Sequence, residues 1–350
     1  MTTEILKINF LNDEDLYKLR KASEIIKKGG LVVFPTETVY GLGADATNAE
    51  ASKKIYSAKG RPSDNPLIIH VHNPKDAEKY AYTNEVYYKL AESFMPGPLT
   101  VVLPSKSSVP TETRGGLGTV AVRCPQNVIA RKLIEFSGVP IAAPSANLSG
   151  SPSPTKASHV IDDMNGRVDI IIDGGDADFG LESTIVKVER DGSLTLLRPG
   201  KITVNDLLSV VSRVEIAEAV IEELKENEVA LSPGMKYRHY APKSPLYLLE
   251  GDFEKYSSFL LEKSREKNIA VICYDEDYLK ISQLYDKCFI YKFGEEKDEK
   301  THAHRLFDIL RDADKKMFDE IYAPLPSKEG VGLALYNRMI RAAAHHIIRM

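Results

Sequence analysis

The chain has 350 residues, of which 43% are hydrophobic and 27% charged, close to the average of soluble globular proteins; a disordered, collagen-like or coiled-coil chain is excluded. That length predicts two domains, or one large and one small. The net charge of −4 gives no global pull toward nucleic acid, but residues 51–150 carry 12 Lys+Arg against 7 Asp+Glu, whereas residues 151–250 carry 11 against 17. Such a local basic surplus fits either a focused anion site or an unevenly charged solvated surface.

No apolar run approaches the ~18 residues needed to span a bilayer, so no membrane association is expected. The opening residues MTTEILKINF lack the charged and apolar regions of a signal peptide, and a cytoplasmic location is the expectation. Cys124, Cys273 and Cys288 form no CxxC pair and read as small core hydrophobes rather than zinc ligands.

In chain order, Asp13–Lys28 has the apolar spacing of an amphipathic helix, stopped by Gly29-Gly30. Leu31–Phe34 is a short buried strand, and Pro35–Gly43, polar and glycine-rich, reads as a loop. A helix over 48–58 leads to the loop Lys59-Gly-Arg-Pro-Ser-Asp-Asn-Pro66 and then a strand over 67–72. Strands are predicted at 99–103, 119–123, 140–143, 168–172, 183–188 and 194–197, with a helix at 128–136. Some are joined by helices and others by tight turns such as Asp191-Gly192, which predicts a mixed α/β sheet. A helix-rich stretch over 204–227 runs into Ser232–Pro245, whose three prolines and four basic residues read as a linker. Beyond it, strands at 246–249, 269–273 and 289–292 and helices at 253–267, 302–318 and 331–348 describe a small α/β domain. The expected organisation is therefore a first α/β domain over 1–215, a helix and Pro-rich linker over 216–245, and a C-terminal domain over 246–350.

Several familiar motifs are absent or imitated. Gly41-Leu-Gly-Ala-Asp-Ala46 mimics GxGxxA, but six residues separate it from its strand, where a dinucleotide site needs a tight strand-to-helix turn. There is no GxxxxGK[ST], GxSxG or HExxH. His70 and His72 alternate on a strand without a third ligand, which favours a hydrogen-bonding histidine over a metal site. More telling is the clustering of polar residues at strand ends: Thr36, Thr38 and Tyr40; Lys59, Arg61 and Asn65; Arg123; and Ser145 with Asn147. Two or three cations among hydroxyl and amide groups have the composition of a polyphosphate and carboxylate site without a P-loop.

The stretches Val33–Leu42, Lys59–Leu67, Pro96–Thr100, Val122–Pro125, Ala143–Gly150 and Ser183–Ile185 resemble the YrdC-like family. The linker Ser232–Pro242 and the C-terminal region resemble the long, two-domain threonylcarbamoyladenylate synthases of that family, so the resemblance covers nearly the whole chain. It implies a twisted mixed α/β sheet with a large cationic cavity, plus a smaller C-terminal α/β domain. It implies synthesis of threonylcarbamoyl-AMP and pyrophosphate from L-threonine, bicarbonate or CO2, and ATP with Mg2+. The product would pass to a downstream tRNA threonylcarbamoyl transferase machinery that modifies adenosine 37. By the same resemblance, L-threonine is expected at Thr38, His70, Arg123, Ala143 and Ser183. ATP is expected at Arg61, Asn65, Thr119, Ser145, Asn147, Ser153, Arg198 and Tyr237. Lys59 and Arg61 take the catalytic role, and no protein side chain is assigned to a metal. Arg123 is expected to grip the threonine carboxylate in a bidentate pair. Two other readings stay open: a non-enzymatic module binding double-stranded RNA or tRNA weakly through the basic stretch, and a carbamoyl-phosphate-dependent transferase.

Overall fold

The structure, a computed structural model, describes residues 2–222, 239–251, 253–284 and 288–350. Two compact units emerge: Met1–Ser149 with Ser153–Tyr237, and Gly150–Pro152 with Arg238–Met350.

The first unit contains β1 (Glu4–Lys7), α1 (Asp13–Lys27), β2 (Val32–Phe34), β3 (Gly41–Asp45), α2 (Ala49–Lys59), β4 (Ile68–His70) and α3 (Glu85–Phe94). These are followed by β5 (Leu99–Pro104), β6 (Thr119–Arg123), α4 (Val128–Ser137), β7 (Ile141–Ala142), α5 (Ala157–Met164) and β8 (Ile170–Asp173). The unit closes with β9 (Thr184–Val188), β10 (Leu194–Arg198), α6 (Val204–Leu208) and β11 (Val214–Ile216). Among the described residues the strands form one 11-stranded sheet in the order β1-β8-β2-β3-β7-β4-β6-β5-β9-β10-β11. It is mixed: β4 runs parallel to β6, while β5 runs antiparallel to β6 and β2 antiparallel to β3.

Local chemistry explains the main helices. The Asn12 side chain caps α1 by accepting from Asp15 N, and Leu19, Ala22 and Ile26 form the buried stripe. That stripe meets Ile129 and Leu133 of α4 over Val32, Phe34, Ile170 and Ile172. Each such side chain, fully buried, contributes about 1.5–3 kcal/mol. Asn48 caps α2, and Gly60, at φ 61°, ends it in the left-handed conformation that other residues adopt with strain. The last helical residue is therefore Lys59, and the chain turns sharply just beyond its side chain.

The second unit contains β12 (Leu246–Glu250), α7 (Phe253–Glu266), β13 (Ile269–Cys273), α8 (Asp275–Leu284), β14 (Cys288–Lys292), α9 (Glu299–Lys316), β15 (Glu320–Pro324), α10 (Gly332–Ala342) and β16 (Ile347–Arg349). Its sheet, β14-β13-β15-β12-β16, is parallel throughout. Leu260, Ile269, Val271 and Ile281 lie in its own core. Residues Gly150–Pro152 cluster with this unit: Arg311 Nε and Nη2 donate to Pro152 O at 3.1 and 2.6 Å, and Ala241 N donates to Gly150 O at 2.9 Å.

Three sequence expectations are corrected. Within the predicted loop 35–43, Gly41 begins β3, whose small residues let it pass close to its neighbours. A Cβ on Gly43 would stand 2.7 Å from both Ile141 Cγ2 and Phe34 Cε1. The glycines that mimic a dinucleotide fingerprint thus serve strand packing. The helix predicted over 204–227, and with it the helical start of the 216–245 segment, is replaced over its described part. Only α6 is helical in the α sense there, and β11 follows, pairing with β10, then a 3₁₀ turn at Glu218–Val220. The helix predicted over 331–348 stops at Ala342, because Ala344 and His345 take positive φ and Ile347-Ile348 joins β12 as a strand.

Candidate active site

Arg123 ends β6. The register places His70 of β4 and Thr100 of β5 beside it on the same face. Its Nη2 donates to Glu37 Oε1 at 2.7 Å and to Thr38 Oγ1 at 3.0 Å. Both Nη2 hydrogens are thereby committed, while Nε is buried without a hydrogen-bond partner. Either bidentate edge of a guanidinium includes Nη2. The bidentate grip expected for Arg123 is therefore closed in this arrangement, and the donors left for a ligand are the N–H groups of Nε and Nη1.

The strap carrying Thr36, Glu37 and Thr38 is held from within. Thr36 Oγ1 donates to Val39 O at 2.6 Å and accepts from Thr38 N and Val39 N. The Thr38 hydroxyl must then donate to Thr36 Oγ1, 2.8 Å away, while accepting from Arg123. Glu37 Oε2 accepts from Asn127 N at 3.3 Å. Burial alone would raise the Glu37 carboxyl, but the Arg123 charge and hydrogen bond hold it below the usual carboxylate range.

His70 is 3% exposed. Burial, and then the Arg123 charge, push its pKa down to about 3, so the ring is neutral at pH 7. Nδ1 lies 3.3 Å from the Ile141 carbonyl, an acceptor only, so Nδ1 carries the hydrogen and Nε2 presents a lone pair.

Lys59 is also 3% exposed. Its Nζ donates to Ser145 O at 2.6 Å and Asn147 O at 2.5 Å. Ser145 Oγ donates to Asn147 Oδ1 at 2.5 Å. The cation thus sits beneath the loop that follows β7 and holds its shape. Arg61, two residues on, donates to the carbonyls of Asn65 and Pro66 at 3.2–3.4 Å. Asn65 Oδ1 is buried with no partner, a vacant acceptor. Ser183 Oγ lies 2.7 Å from Thr100 Oγ1 and accepts from Arg198 Nη2 at 3.1 Å. Ser153 donates to Glu182.

These groups form one connected set. Ala146 N donates to Tyr40 O, and Gly41 bridges Ser145, which ties the Lys59 cluster to the Thr38 strap. Tyr40 N donates to Pro154 O, which brings in Ser153. Thr38 reaches Arg123, which faces Thr100, and Thr100 reaches Ser183 and Arg198. Ala143, just past β7, donates its N–H to Ile68 O at 2.9 Å. Thr119 shares Arg123's face of β6 but stands roughly 13 Å along the strand. Tyr237 lies outside the described residues. Sequence reasoning missed Glu37, Glu182 and Thr100. The first two were legible only as carboxylates standing inside otherwise hydroxyl-rich segments. Burial pushes the thiols of Cys124, Cys273 and Cys288 up to about 12, so none is poised as a nucleophile.

Among the described residues no group of three or more His, Cys, Asp or Glu side chains could hold a metal ion, and no helix is long and apolar enough to cross a membrane.

A family profile described as "Telomere recombination" matches residues 24–200, and one described as "Threonylcarbamoyl-AMP synthase, C-terminal domain" matches residues 202–344. A threonylcarbamoyl-AMP synthase of Pyrococcus abyssi is 42% identical over 349 residues, covering 98% of this chain and 99% of that protein. One of Bacillus subtilis is 41% identical over 335 residues, covering 95% and 94%. The crystal structure of P. abyssi Sua5 complexed with L-threonine superposes with a TM-score of 0.91 at 41% identity, covering 99% of this chain and 100% of that one. With matches of this extent in both units, the chain belongs to the threonylcarbamoyl-AMP synthase family, in its two-domain form.

Proposed function

We propose that this protein joins L-threonine, bicarbonate or CO2, and ATP into threonylcarbamoyl-AMP and pyrophosphate, and that the product supplies the threonylcarbamoyl group of adenosine 37 in tRNA. The observation that carries this reading is the connected set of buried side chains: an arginine with a vacant N–H, a neutral imidazole with a free lone pair, and a lysine and an arginine two residues apart. Full-length relatives bearing the synthase name, one solved with L-threonine, support it.

In the proposed reaction threonine binds as the zwitterion and gives up its ammonium proton to solvent; the free amine adds to CO2 and forms a carbamate with release of a second proton to solvent. A carbamate oxygen then attacks the α-phosphorus of ATP, and the bond to the β-phosphate oxygen breaks to release pyrophosphate. No covalent enzyme intermediate is required, so positioning and charge compensation carry catalysis. The unbonded N–H groups of Arg123 meet the threonine carboxylate. His70 Nε2, as an acceptor, suits the threonine hydroxyl, with Ser183 and the Ala143 backbone completing that subsite. Lys59 and Arg61 compensate charge developing along the triphosphate. Arg61, Asn65, Thr119, Ser145, Asn147, Ser153 and Arg198 hold the nucleotide, and the vacant Asn65 Oδ1 fits an amino or hydroxyl donor on it. Mg2+ enters as the counter-ion of ATP, as part of the substrate.

The test is incubation with labelled threonine, bicarbonate, ATP and Mg2+. Pyrophosphate release that requires both threonine and bicarbonate is expected. RNA binding without such release would select a binding module, and labelling only from carbamoyl phosphate a transferase. Lys59→Ala or Arg61→Ala should lower turnover roughly 100-fold, the scale of losing one donor to developing negative charge. Near-normal turnover in a folded variant would remove these two residues from the mechanism.

A further inference from the structure

Glu37 is the one carboxylate shown bonded to the Arg123 guanidinium, and the reaction as proposed gives it no step. It is not a surface ion pair. Both side chains are 5% exposed and the contact is 2.7 Å. Its two oxygens have different partners, Arg123 Nη2 on one and the backbone N–H of Asn127 on the other. Its backbone is fixed as well, since Phe179 N donates to Glu37 O at 2.9 Å. The carboxylate therefore has one position, and it determines which edge of Arg123 stays open.

The pair also sets the charge of the subsite. A buried arginine alone would carry a full positive charge into a pocket where His70 is neutral and attract any anion of suitable shape. With Glu37 beside it the pair is neutral. Arg198 and Glu182, which flank the same segment at Ser183, add one basic and one acidic residue. A neutral pocket with open guanidinium N–H groups suits a ligand that brings its own positive charge along with its carboxylate.

We propose that Glu37 is a positioning and specificity-determining residue of the amino-acid subsite: it holds Arg123 by Nη2 so that the remaining N–H groups of the guanidinium are left for the substrate, and it balances the guanidinium charge so that the pocket prefers a zwitterionic amino acid to an anion of the same shape. This rests on the reading of Arg123 as the anchor of the threonine carboxylate.

The probe is 3-hydroxybutyrate, which keeps the carboxylate and hydroxyl of threonine and lacks the α-amino group. In the unsubstituted protein it should compete with threonine at least about tenfold more weakly than threonine itself binds. Equal binding overturns the charge argument without any variant. Glu37→Gln keeps the shape and removes the charge. It should raise KM for threonine by about tenfold, leave KM for ATP within about twofold, and narrow the gap between threonine and 3-hydroxybutyrate by at least about tenfold. Glu37→Asp keeps the charge and withdraws the carboxylate by one methylene. It should raise KM for threonine but preserve the discrimination. Parallel rises in both KM values, or unchanged discrimination in a folded Glu37→Gln protein, overturn the inference. Arg123→Lys separates the two layers. If it leaves KM for threonine unchanged, the Arg123 reading itself fails. If it raises KM while Glu37→Gln changes nothing, only the role of Glu37 fails.

Discussion

At the residue scale the site is governed by groups that burial would disfavour if they stood alone. His70 shows the thermodynamic consequence. Its pKa is about 3 in the folded chain against 6.5 in the unfolded one, so below pH 6.5 the unfolded state binds the proton that the folded state refuses. Stability from this group is complete above pH 6.5 and declines as pH falls toward 3, by about 1.4 kcal/mol per pH unit. The lowered Glu37 acts in the same direction but in a lower window, its contribution being complete above 4.5 and lost below it. Urea unfolding at pH 7, 6 and 5 falls in the histidine window, where the buried His302, also lowered, contributes as well, so the variant is compared with its parent. His70→Asn should flatten the slope of stability against pH, by about half of 1.4 kcal/mol per unit between pH 7 and 6 and approaching about 1.4 kcal/mol per unit toward pH 5. Identical slopes in parent and variant would mean that His70 is not held neutral by the fold.

At the element scale the site depends on where helices and strands stop. Lys59 stands under the Ser145–Asn147 loop because α2 ends at Gly60, and Arg123 faces His70 and Thr100 because β6 ends in register with both. Close packing also fixes β3, whose Gly43 passes between Phe34 and Ile141 with no room for a side chain. Gly43→Ala should destabilise the protein by about 1–3 kcal/mol, because a methyl group 2.7 Å from two side chains forces both to move. A urea midpoint unchanged from the parent would show that this gap is looser than the distances state. β3 also illustrates a limit of reading by propensity. Gly-Leu-Gly-Ala-Asp has the composition of a loop, and only the closeness of its neighbours makes it a strand. β15, central in the second sheet between β13 and β12, was unread for a related reason. Its five residues, Glu-Ile-Tyr-Ala-Pro, are too few to show a period.

At the scale of the whole molecule, two sheets of different kind are built from one chain, a mixed one and a parallel one, each with a separate core. The second unit is not a continuous stretch, because Gly150–Pro152 is counted with it through Arg311 and Ala241. Arg311→Ala should lower stability by about 1–3 kcal/mol, since it leaves the buried Pro152 carbonyl without its donors. Chemical denaturation measures this directly, and an unchanged midpoint would sink it.

By itself, the sequence determined what is local or compositional: the Gly29-Gly30 stop of α1, the positions of α2 and α4, the strands flanking the polar loops, the mixed α/β class, and the motifs that name the chemistry. These are legible because capping, alternation and turn residues act over a few positions. Tertiary structure decided what lies far apart in the chain. Glu37 and Arg123 are 86 residues apart, and Lys59 and Asn147 are 88 apart. No period or propensity links such pairs; the fold brings the 36–38 strap to the end of β6 and the loop after β7 over the end of α2. Which hydrogens of Arg123 are already taken, and that a carboxylate neutralises it, follow from those tertiary contacts alone. The electrostatic character of a buried site is a sum over neighbours that only the fold brings together.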